Sequence, residues 1–183
     1  HGGGHFFLRI NDTHRNFRLL RRPTDGSENW QELIAGSDEL YLRSLTCFSE
    51  YLVLEERLHG IDQIRIRTYE GQEHHIAFPE PAYTARLGEN PEYNAPRLRI
   101  HYESMVTPPT VFDYHPEEGR LETKKVKQIP SGYDAAAYES HRLSVVARDG
   151  TGIPVSIVHR RGFPLDGSKP LYLYGYGAYG YGV

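Results

Sequence analysis

A stretch rich in glycine and tyrosine near the end of the sequence carries the side chains best suited to chemistry. Tyr176 and Tyr179 lie within Gly175–Gly180, whose glycines match the spacing of the dinucleotide-binding fingerprint. A dinucleotide site needs a helix N-terminus directly after the glycines and an acidic residue about 20 positions further on, whereas the sequence ends at Val183. A nucleotide-binding fragment is therefore only a weak alternative.

The other polar motifs match common catalytic patterns poorly. His1–Gly4 reads HGGG, like the oxyanion segment of lipases and esterases, but no G-x-S-x-G follows it, so we expect a flexible loop or a chain end. His74 and His75 should project from opposite faces of a strand and cannot easily share one ion. Cys47 has an apolar setting that favours a buried, inert thiol. We expect neither a metal site nor a cofactor.

Short strands recur along the chain with a period of 46 residues. Phe6–Ile10 has counterparts in Leu52–Leu54 and Leu98–Ile100, each 46 residues further on. Two more strands follow in each unit. They are Asn16–Leu20 and Trp30–Ile34 in the first unit, Gln63–Arg67 and His75–Phe78 in the second, and Thr110–Tyr114 and Glu122–Val126 in the third. In the last two units, Glu70-Gly71 and Glu118-Gly119 provide a tight turn between these strands, since glycine accepts a positive φ.

A fourth short strand accompanies the repeat at Leu40–Leu45, Ala82–Leu87 and Asp134–Tyr138. A period of this length built from four strands is typical of a β-propeller blade, and a β-sandwich is the alternative. Propellers usually close with 4–8 blades. The sequence therefore predicts a mainly β chain in which residues 1–138 form about three four-stranded blades of a partial β-propeller.

The pattern changes after Tyr138. Arg142–Ala147 and Ile153–Arg160 alternate on either side of the turn Asp149–Gly152, which predicts a β-hairpin. Leu171–Tyr174 is an apolar run typical of a buried strand in an α/β sheet. We expect residues 139–183 to begin a second domain.

Composition and charge restrict the classes of partner. The 183 residues are 38% hydrophobic and 25% charged, with a mean hydropathy of -0.60, which is a soluble, folded composition without a membrane-spanning run. The net charge of -3 gives no basic excess for binding nucleic acid. Cys47 alone cannot form an internal disulfide, which fits a cytoplasmic location. We therefore expect no nucleic-acid or membrane partner.

Three consecutive motifs near the end of the sequence resemble the start of the peptidase domain in the prolyl oligopeptidase family: Arg148–Ser156, Leu165–Pro170 and Leu173–Gly180. Upstream, Tyr102–Thr110 and Tyr133–Ala147 resemble the oligopeptidase B branch of that family, which cleaves after Lys or Arg. The resemblance implies a seven-bladed propeller ahead of an α/β-hydrolase domain, in agreement with the repeat. Residues 139–183 would then be the first strands of the α/β-hydrolase domain.

The resemblance also implies roles for the two tyrosines. The family hydrolyses peptides with a Ser-Asp-His triad, and a tyrosine hydroxyl of the Tyr-Gly-Tyr-Gly motif helps to hold the oxyanion, which makes Tyr176 the corresponding donor here. Tyr179 matches a position that lines the substrate pocket in the proline-specific branch. The triad residues of the family lie beyond this motif, so the chain by itself should be inactive. Its implied partners are short peptide substrates and the remainder of the parent protein.

A hypothesis from a different class remains beside the peptidase hypothesis. A repeat of β-blades without catalytic residues could serve as a stand-alone module that binds other proteins. The gene sequence after Val183 would separate the two hypotheses, because only a peptidase continues into a G-x-S-x-G motif.

Overall fold

The computed structural model describes residues 1–177, which contain thirteen β-strands in four antiparallel sheets. The first sheet contains β1 (His5–Ile10), β2 (Arg18–Pro23) and β3 (Gln31–Ile34). The second contains β4 (Leu40–Cys47), β5 (Tyr51–Leu58), β6 (Ile61–Thr68) and β7 (Glu73–His75). The third contains β8 (Tyr83–Leu87), β9 (Leu98–Ser104), β10 (Thr110–His115) and β11 (Arg120–Val126). The fourth is the hairpin of β12 (Tyr138–Val146) and β13 (Gly152–Arg160).

The first three sheets confirm the predicted blades. In each sheet the strands are hydrogen-bonded in the order in which they occur along the chain, so each sheet is a simple up-and-down meander. Gly71 and Gly119 have positive φ angles of 100° and 63° at the predicted turns, where a residue with a Cβ would be strained. The structure is thus a partial β-propeller with two four-stranded blades and one three-stranded sheet.

The hydrophobic core lies between neighbouring sheets. Strand β5 is buried on both faces, and its consecutive residues Val53 and Leu54 belong to two different clusters. Val53 packs with residues of the second and third sheets such as Ile64 and Leu98, whereas Leu54 packs with Leu19 of the first sheet. This arrangement follows from the two-residue period of a strand, which sends successive side chains to opposite faces. The second sheet therefore lies between the other two and joins them.

Several predicted elements differ from the structure. The predicted strand Asp134–Tyr138 is wrong, because Ala135–Ala137 form one turn of 3-10 helix, capped by the Asp134 carboxylate, which accepts from the Ala136 amide. The predicted strand His75–Phe78 overlaps β7 only at His75. The HGGG segment is not a free loop, because a Cβ on Gly2 would lie 1.9 Å from the Tyr69 hydroxyl. These glycines permit close packing against the Tyr69 ring.

The hairpin after Tyr138 is confirmed, with Val146 opposite Gly152 and Tyr138 opposite Arg160. The predicted buried strand Leu171–Tyr174 is wrong for the described structure. These residues form no strand, and Leu171 and Tyr172 are 81% and 87% exposed. A buried strand needs hydrogen-bonded neighbours, and the hairpin strands pair only with each other among the described residues. Residues 1–177 also contain no helix that is long and apolar enough to cross a bilayer.

Candidate functional site

The hairpin packs on the tip of the second sheet. The guanidinium of Arg142 donates to the carbonyl oxygen of His59 at 2.9 Å and to the hydroxyl of Ser156 on the neighbouring hairpin strand at 2.6 Å. Burial lowers the pKa of Arg142. Gly60 approaches the hairpin so closely that a Cβ there would lie 2.7 Å from Arg142 Nη2 and 3.3 Å from Pro154 Cγ. This contact fixes the beginning of the C-terminal part against the blades.

An open cavity of about 490 Å³ lies between the base of the hairpin and the loops that precede β8 and follow β9. The hydroxyl of Tyr133 donates to the Val106 carbonyl oxygen at 2.7 Å beside it. Glu80 lines the cavity; one of its carboxylate oxygens accepts from the Thr107 hydroxyl, and the other is buried without a hydrogen-bond partner among the described residues. The cavity is polar on this side and is also lined by Glu139, His141 and Arg161.

The two faces of the hairpin and the segment that follows it present apolar side chains to solvent. Val146 and Leu165 are each 72% exposed. Further exposed apolar residues of this surface are Leu143, Val145, Ile153, Val158, Leu171 and Leu173. So many exposed apolar side chains on one hairpin and the segment after it indicate that another part of a protein covers them. We call these residues the hairpin apolar surface.

The structure places Tyr176 directly after this surface, with 49% of its side chain exposed. A Cβ added to either neighbouring glycine, Gly175 or Gly177, would meet no other atom within 4 Å, so the backbone around the phenol is open. Among residues 1–177, the structure brings no other predicted catalytic group to Tyr176. Tyr179 lies outside the described residues.

Several serine hydroxyls have structural partners rather than a catalytic base. Ser44 donates to the Glu55 carboxylate at 2.5 Å, and Ser156 accepts from Arg142 at 2.6 Å. Ser104 accepts from two backbone amides of its own turn. These hydroxyls lack the neighbouring histidine that activates a serine nucleophile. These three serines are therefore not candidates for a catalytic nucleophile.

The sequence motifs did not reveal two groups of charged residues. Buried carboxylates are paired with arginines on neighbouring strands: Glu56 with Arg65, and Asp113 with Arg99 at 2.6 Å. In the hairpin, the carboxylate of Glu139 and the imidazoles of His141 and His159 offer three ligand atoms within 4.8 Å of one another. The predicted hairpin contained the signal for this second group, because its turn places position 139 opposite position 159.

The comparison with protein families agrees with the repeat and the sheets. A family model described as "Prolyl oligopeptidase, N-terminal beta-propeller domain" matches residues 1–127, well over half of the chain. The chain belongs to the prolyl oligopeptidase family. The matched residues of this family member comprise the first three sheets, from β1 to the end of β11.

Individual members of the prolyl oligopeptidase family are similar to this chain beyond the blades, through the hairpin. The dipeptidyl aminopeptidase BI of Pseudoxanthomonas mexicana is 33% identical over 98% of the chain. Protease 2 of Moraxella lacunata is 30% identical over 90%. Among solved structures, oligopeptidase B of Leishmania major superposes with a TM-score of 0.81 and 30% identity over 98% of the chain.

The family chain covers only part of these relatives. It spans 25% of the length of the Pseudoxanthomonas protein and 24% of the Moraxella protein. It covers 27% of the Leishmania oligopeptidase B, and the same share of oligopeptidase B from Trypanosoma brucei, which matches with a TM-score of 0.82 and 26% identity. The relatives therefore contain about three times as many further residues as the chain does.

Proposed function

We propose that the chain is part of a serine oligopeptidase that hydrolyses peptide bonds in short peptides by acyl-enzyme chemistry. The observation that carries this proposal is the similarity over at least 90% of the chain to relatives named as an aminopeptidase and a protease. The similarity extends past the blades into the hairpin and its exposed apolar surface. In the proposed enzyme, the remainder of an α/β-hydrolase domain covers the hairpin apolar surface and supplies the Ser-Asp-His triad.

The blades have the role of restricting substrate access. Their sheets stand side by side around shared cores, and the Arg142 contact attaches the beginning of the proposed peptidase domain to the blade tip. When a closed ring of such blades covers an active site, only peptides small enough to pass through or around the ring can reach that site. We propose this as the physical reason for activity on short peptides.

Tyr176 is the proposed oxyanion donor of this chain. A phenol is neutral at physiological pH and rigid, and its O–H can donate to the negative oxygen that forms in the tetrahedral intermediate. The half-exposed ring and the open backbone of Gly175 and Gly177 leave the hydroxyl free to face a domain placed against it. Tyr179 is proposed to line the substrate pocket, on the resemblance alone.

Preference for Lys or Arg before the cleaved bond is a finer part of the proposal. It is supported by the similarity to the oligopeptidase B structures of Leishmania major and Trypanosoma brucei. The relative named dipeptidyl aminopeptidase BI supplies a competing specificity, the removal of dipeptides. A cytoplasmic location is also proposed, from the single cysteine.

The full-length protein tests the proposal with fluorogenic peptide amides that carry Arg, Lys or Pro before the scissile bond, and with a dipeptide amide that has a free amino terminus. We expect the Arg and Lys substrates to be cleaved fastest. Tyr176→Phe should lower kcat by about 10²–10³-fold with little change in KM, because the lost hydrogen bond forms only in the transition state. Tyr174→Phe, which removes an exposed hydroxyl two residues earlier, is the matched control.

Each negative result has a distinct meaning. Equal kcat values for Tyr176→Phe and Tyr174→Phe would show that Tyr176 is not an oxyanion donor. They would not contradict the peptidase assignment. Faster cleavage of the dipeptide or Pro substrates would replace the Lys/Arg preference. Complete absence of hydrolysis by the folded full-length protein would favour the non-catalytic protein-binding module. Hydrolysis by the purified 183-residue chain alone would contradict its proposed dependence on the rest of the protein.

A further inference from the structure

We propose that Glu139, His141 and His159 form a binding site for a divalent transition-metal ion of the zinc class. The three side chains belong to the hairpin β12–β13, and their candidate ligand atoms all lie within 4.8 Å of one another. Two imidazoles and one carboxylate are a ligand set that suits Zn²⁺. The site is independent of the proposed peptidase chemistry and of Tyr176.

Strand register explains why the three residues converge. Glu139 and His141 are two residues apart on β12, so they project from the same face, and His159 lies directly opposite Glu139 on β13. Opposed and diagonal positions across two antiparallel strands are the closest side-chain neighbours in a sheet. The imidazoles of His141 and His159 stack at 18°, with ring centroids 5.0 Å apart. The backbone of a short hairpin therefore holds the three ligands without a loop rearrangement.

The nitrogen atoms are already spaced for a shared ion. Nε2 of His141 and Nε2 of His159 lie 3.1 Å apart. Two nitrogen ligands at about 2.0–2.1 Å from a tetrahedral Zn²⁺ are about 3.3–3.4 Å from each other, so a shift of a few tenths of an ångström would suffice. In the metal-free hairpin, one proton between these two nitrogens makes a hydrogen bond. A metal ion can take the place of that proton once His141 carries its proton on Nδ1 instead, which leaves a lone pair on both Nε2 atoms.

The tautomer of His159 favours the same geometry. Its Nδ1 lies 2.9 Å from the backbone carbonyl oxygen of Arg160, and a carbonyl oxygen can only accept, so Nδ1 carries the proton. The lone pair is then on Nε2, facing His141. A backbone carbonyl on the second ring nitrogen is a common outer-shell partner of metal-binding histidines. Only 8% of the His159 side chain is exposed, so the ring is held in this orientation.

Glu139 and the adjacent cavity complete the site. Glu139 Oε1 lies 3.6 Å from His159 Nδ1, and rotation of the flexible glutamate side chain can bring this oxygen to the ion. The other oxygen, Oε2, lies 3.4 Å from Arg161 Nη1, which leaves Oε1 as the ligand. Glu139 and His141 also line the cavity of about 490 Å³, which gives space for a water molecule as the fourth ligand.

Titration of the metal-free full-length protein with Zn²⁺, and with Co²⁺ as a spectroscopic probe, tests the site. We expect one Co²⁺ ion to produce the visible absorption of a tetrahedral complex, which Zn²⁺ displaces. His141→Ala should abolish this absorption. It should also weaken Zn²⁺ binding at this site by at least about 10–100-fold, which is the usual effect of losing an outer-shell partner. His141 is exposed, so this substitution should not disturb folding.

Two further variants make the result specific. His159→Gln should have the same effect as His141→Ala, and far-UV circular dichroism reports whether this buried substitution unfolds the hairpin. His101→Ala removes a histidine of β9 and should leave both the absorption and the Zn²⁺ affinity unchanged. Absence of tetrahedral Co²⁺ absorption, or the same absorption and Zn²⁺ affinity in the wild type and His141→Ala, would overturn the proposal.

Discussion

Arg142 Nη2 and the carbonyl oxygen of His59 form a hydrogen bond of 2.9 Å across 83 residues of sequence. His59 and Gly60 form the two-residue turn between β5 and β6, and both have positive φ angles, of 49° and 78°. The backbone of such a turn follows the twist of the two strands that it joins, and its carbonyl groups point away from the hydrogen bonds between those strands. The turn therefore provides a rigid acceptor for the guanidinium, and the hairpin is attached to the tip of the second blade at this point.

Arg142→Ala should release the hairpin from the blade tip. The side chain makes two hydrogen bonds, to His59 and to Ser156, and loss of a charged donor at a partly buried position costs about 1–3 kcal/mol. Hydrogen–deuterium exchange in residues 138–160 should become faster. Arg148→Ala, at an exposed position in the hairpin turn, is the control and should leave the exchange rates unchanged. Equal protection in the two variants would show that the contact does not hold the hairpin.

Gly60→Ala and Gly132→Ala separate backbone strain from steric exclusion. Both glycines have similar positive φ angles, 78° and 81°, so alanine costs about 1–2 kcal/mol of strain at either position. Only at position 60 would the new Cβ also meet Arg142 Nη2, at 2.7 Å, and Pro154. Urea unfolding should show a larger loss of stability for Gly60→Ala, accompanied by faster exchange in the hairpin. Equal losses would mean that the hairpin moves aside freely.

Arg65 and Arg67 offer a matched pair of substitutions on strand β6. Arg65 pairs with Glu56, whose side chain is fully buried, whereas Arg67 pairs with the partly exposed Glu73. Arg65→Ala leaves a buried carboxylate without its main counter-charge and should cost about 3–5 kcal/mol. Arg67→Ala breaks a surface ion pair and should cost about 1 kcal/mol or less. Urea midpoints measured side by side test this order, and similar midpoints would contradict it.

Stability should decline as the pH rises above 10. Burial raises the pKa of Tyr51 to about 12, and burial also raises the pKa of Tyr102 and Tyr114. A tyrosine with a raised folded-state pKa contributes its full stability below the unfolded-state value of 10.0, and this contribution is lost as the pH rises towards the folded-state value. Ultraviolet difference spectra should show delayed tyrosine ionisation until unfolding. Ionisation of every tyrosine near pH 10 without unfolding, the buried ones included, would contradict this prediction.

The isolated 183-residue chain should self-associate through the hairpin apolar surface. Val146 is 72% exposed at the end of β12, and a lysine there would interrupt the surface. Light scattering should therefore report a smaller average mass for Val146→Lys than for the unmodified chain. Thr151→Lys adds the same charge in the exposed hairpin turn and should have little effect. A monodisperse monomer at high concentration in the unmodified chain would refute this expectation.

Local patterns in the sequence predicted the strands but not the contacts between distant parts of the chain. The 46-residue repeat and the glycine turns predicted all three blade sheets, because a strand and its turn depend on neighbouring residues. The prediction for Leu171–Tyr174 is wrong because an apolar run resembles a buried strand, whereas pairing depends on a neighbouring strand that the described residues do not supply. The Arg142–His59 contact joins separate elements, and no local period encodes it.

The candidate sites show the same difference between local sequence patterns and contacts made in the folded chain. Tyr176 was identified through a resemblance, and the structure adds its exposure but no reacting partner. The group Glu139, His141 and His159 was within reach of sequence reasoning once the hairpin turn was located, because the turn fixes which residues face each other. No common metal-binding sequence motif describes this group, since two of its residues come from one strand and the third from the next.

Each sheet is assembled from one uninterrupted stretch of chain, as the second sheet is from residues 40–75. During translation, a stretch of this kind can pair its strands as soon as it leaves the ribosome, because none of its hydrogen-bonding partners is still to be synthesised. The core shared by the second and third sheets can close only after β10 has emerged. Assembly should therefore proceed in steps from the N-terminal side. The face of each new sheet that will pack against the next sheet should stay accessible to chaperones until that next sheet has been synthesised.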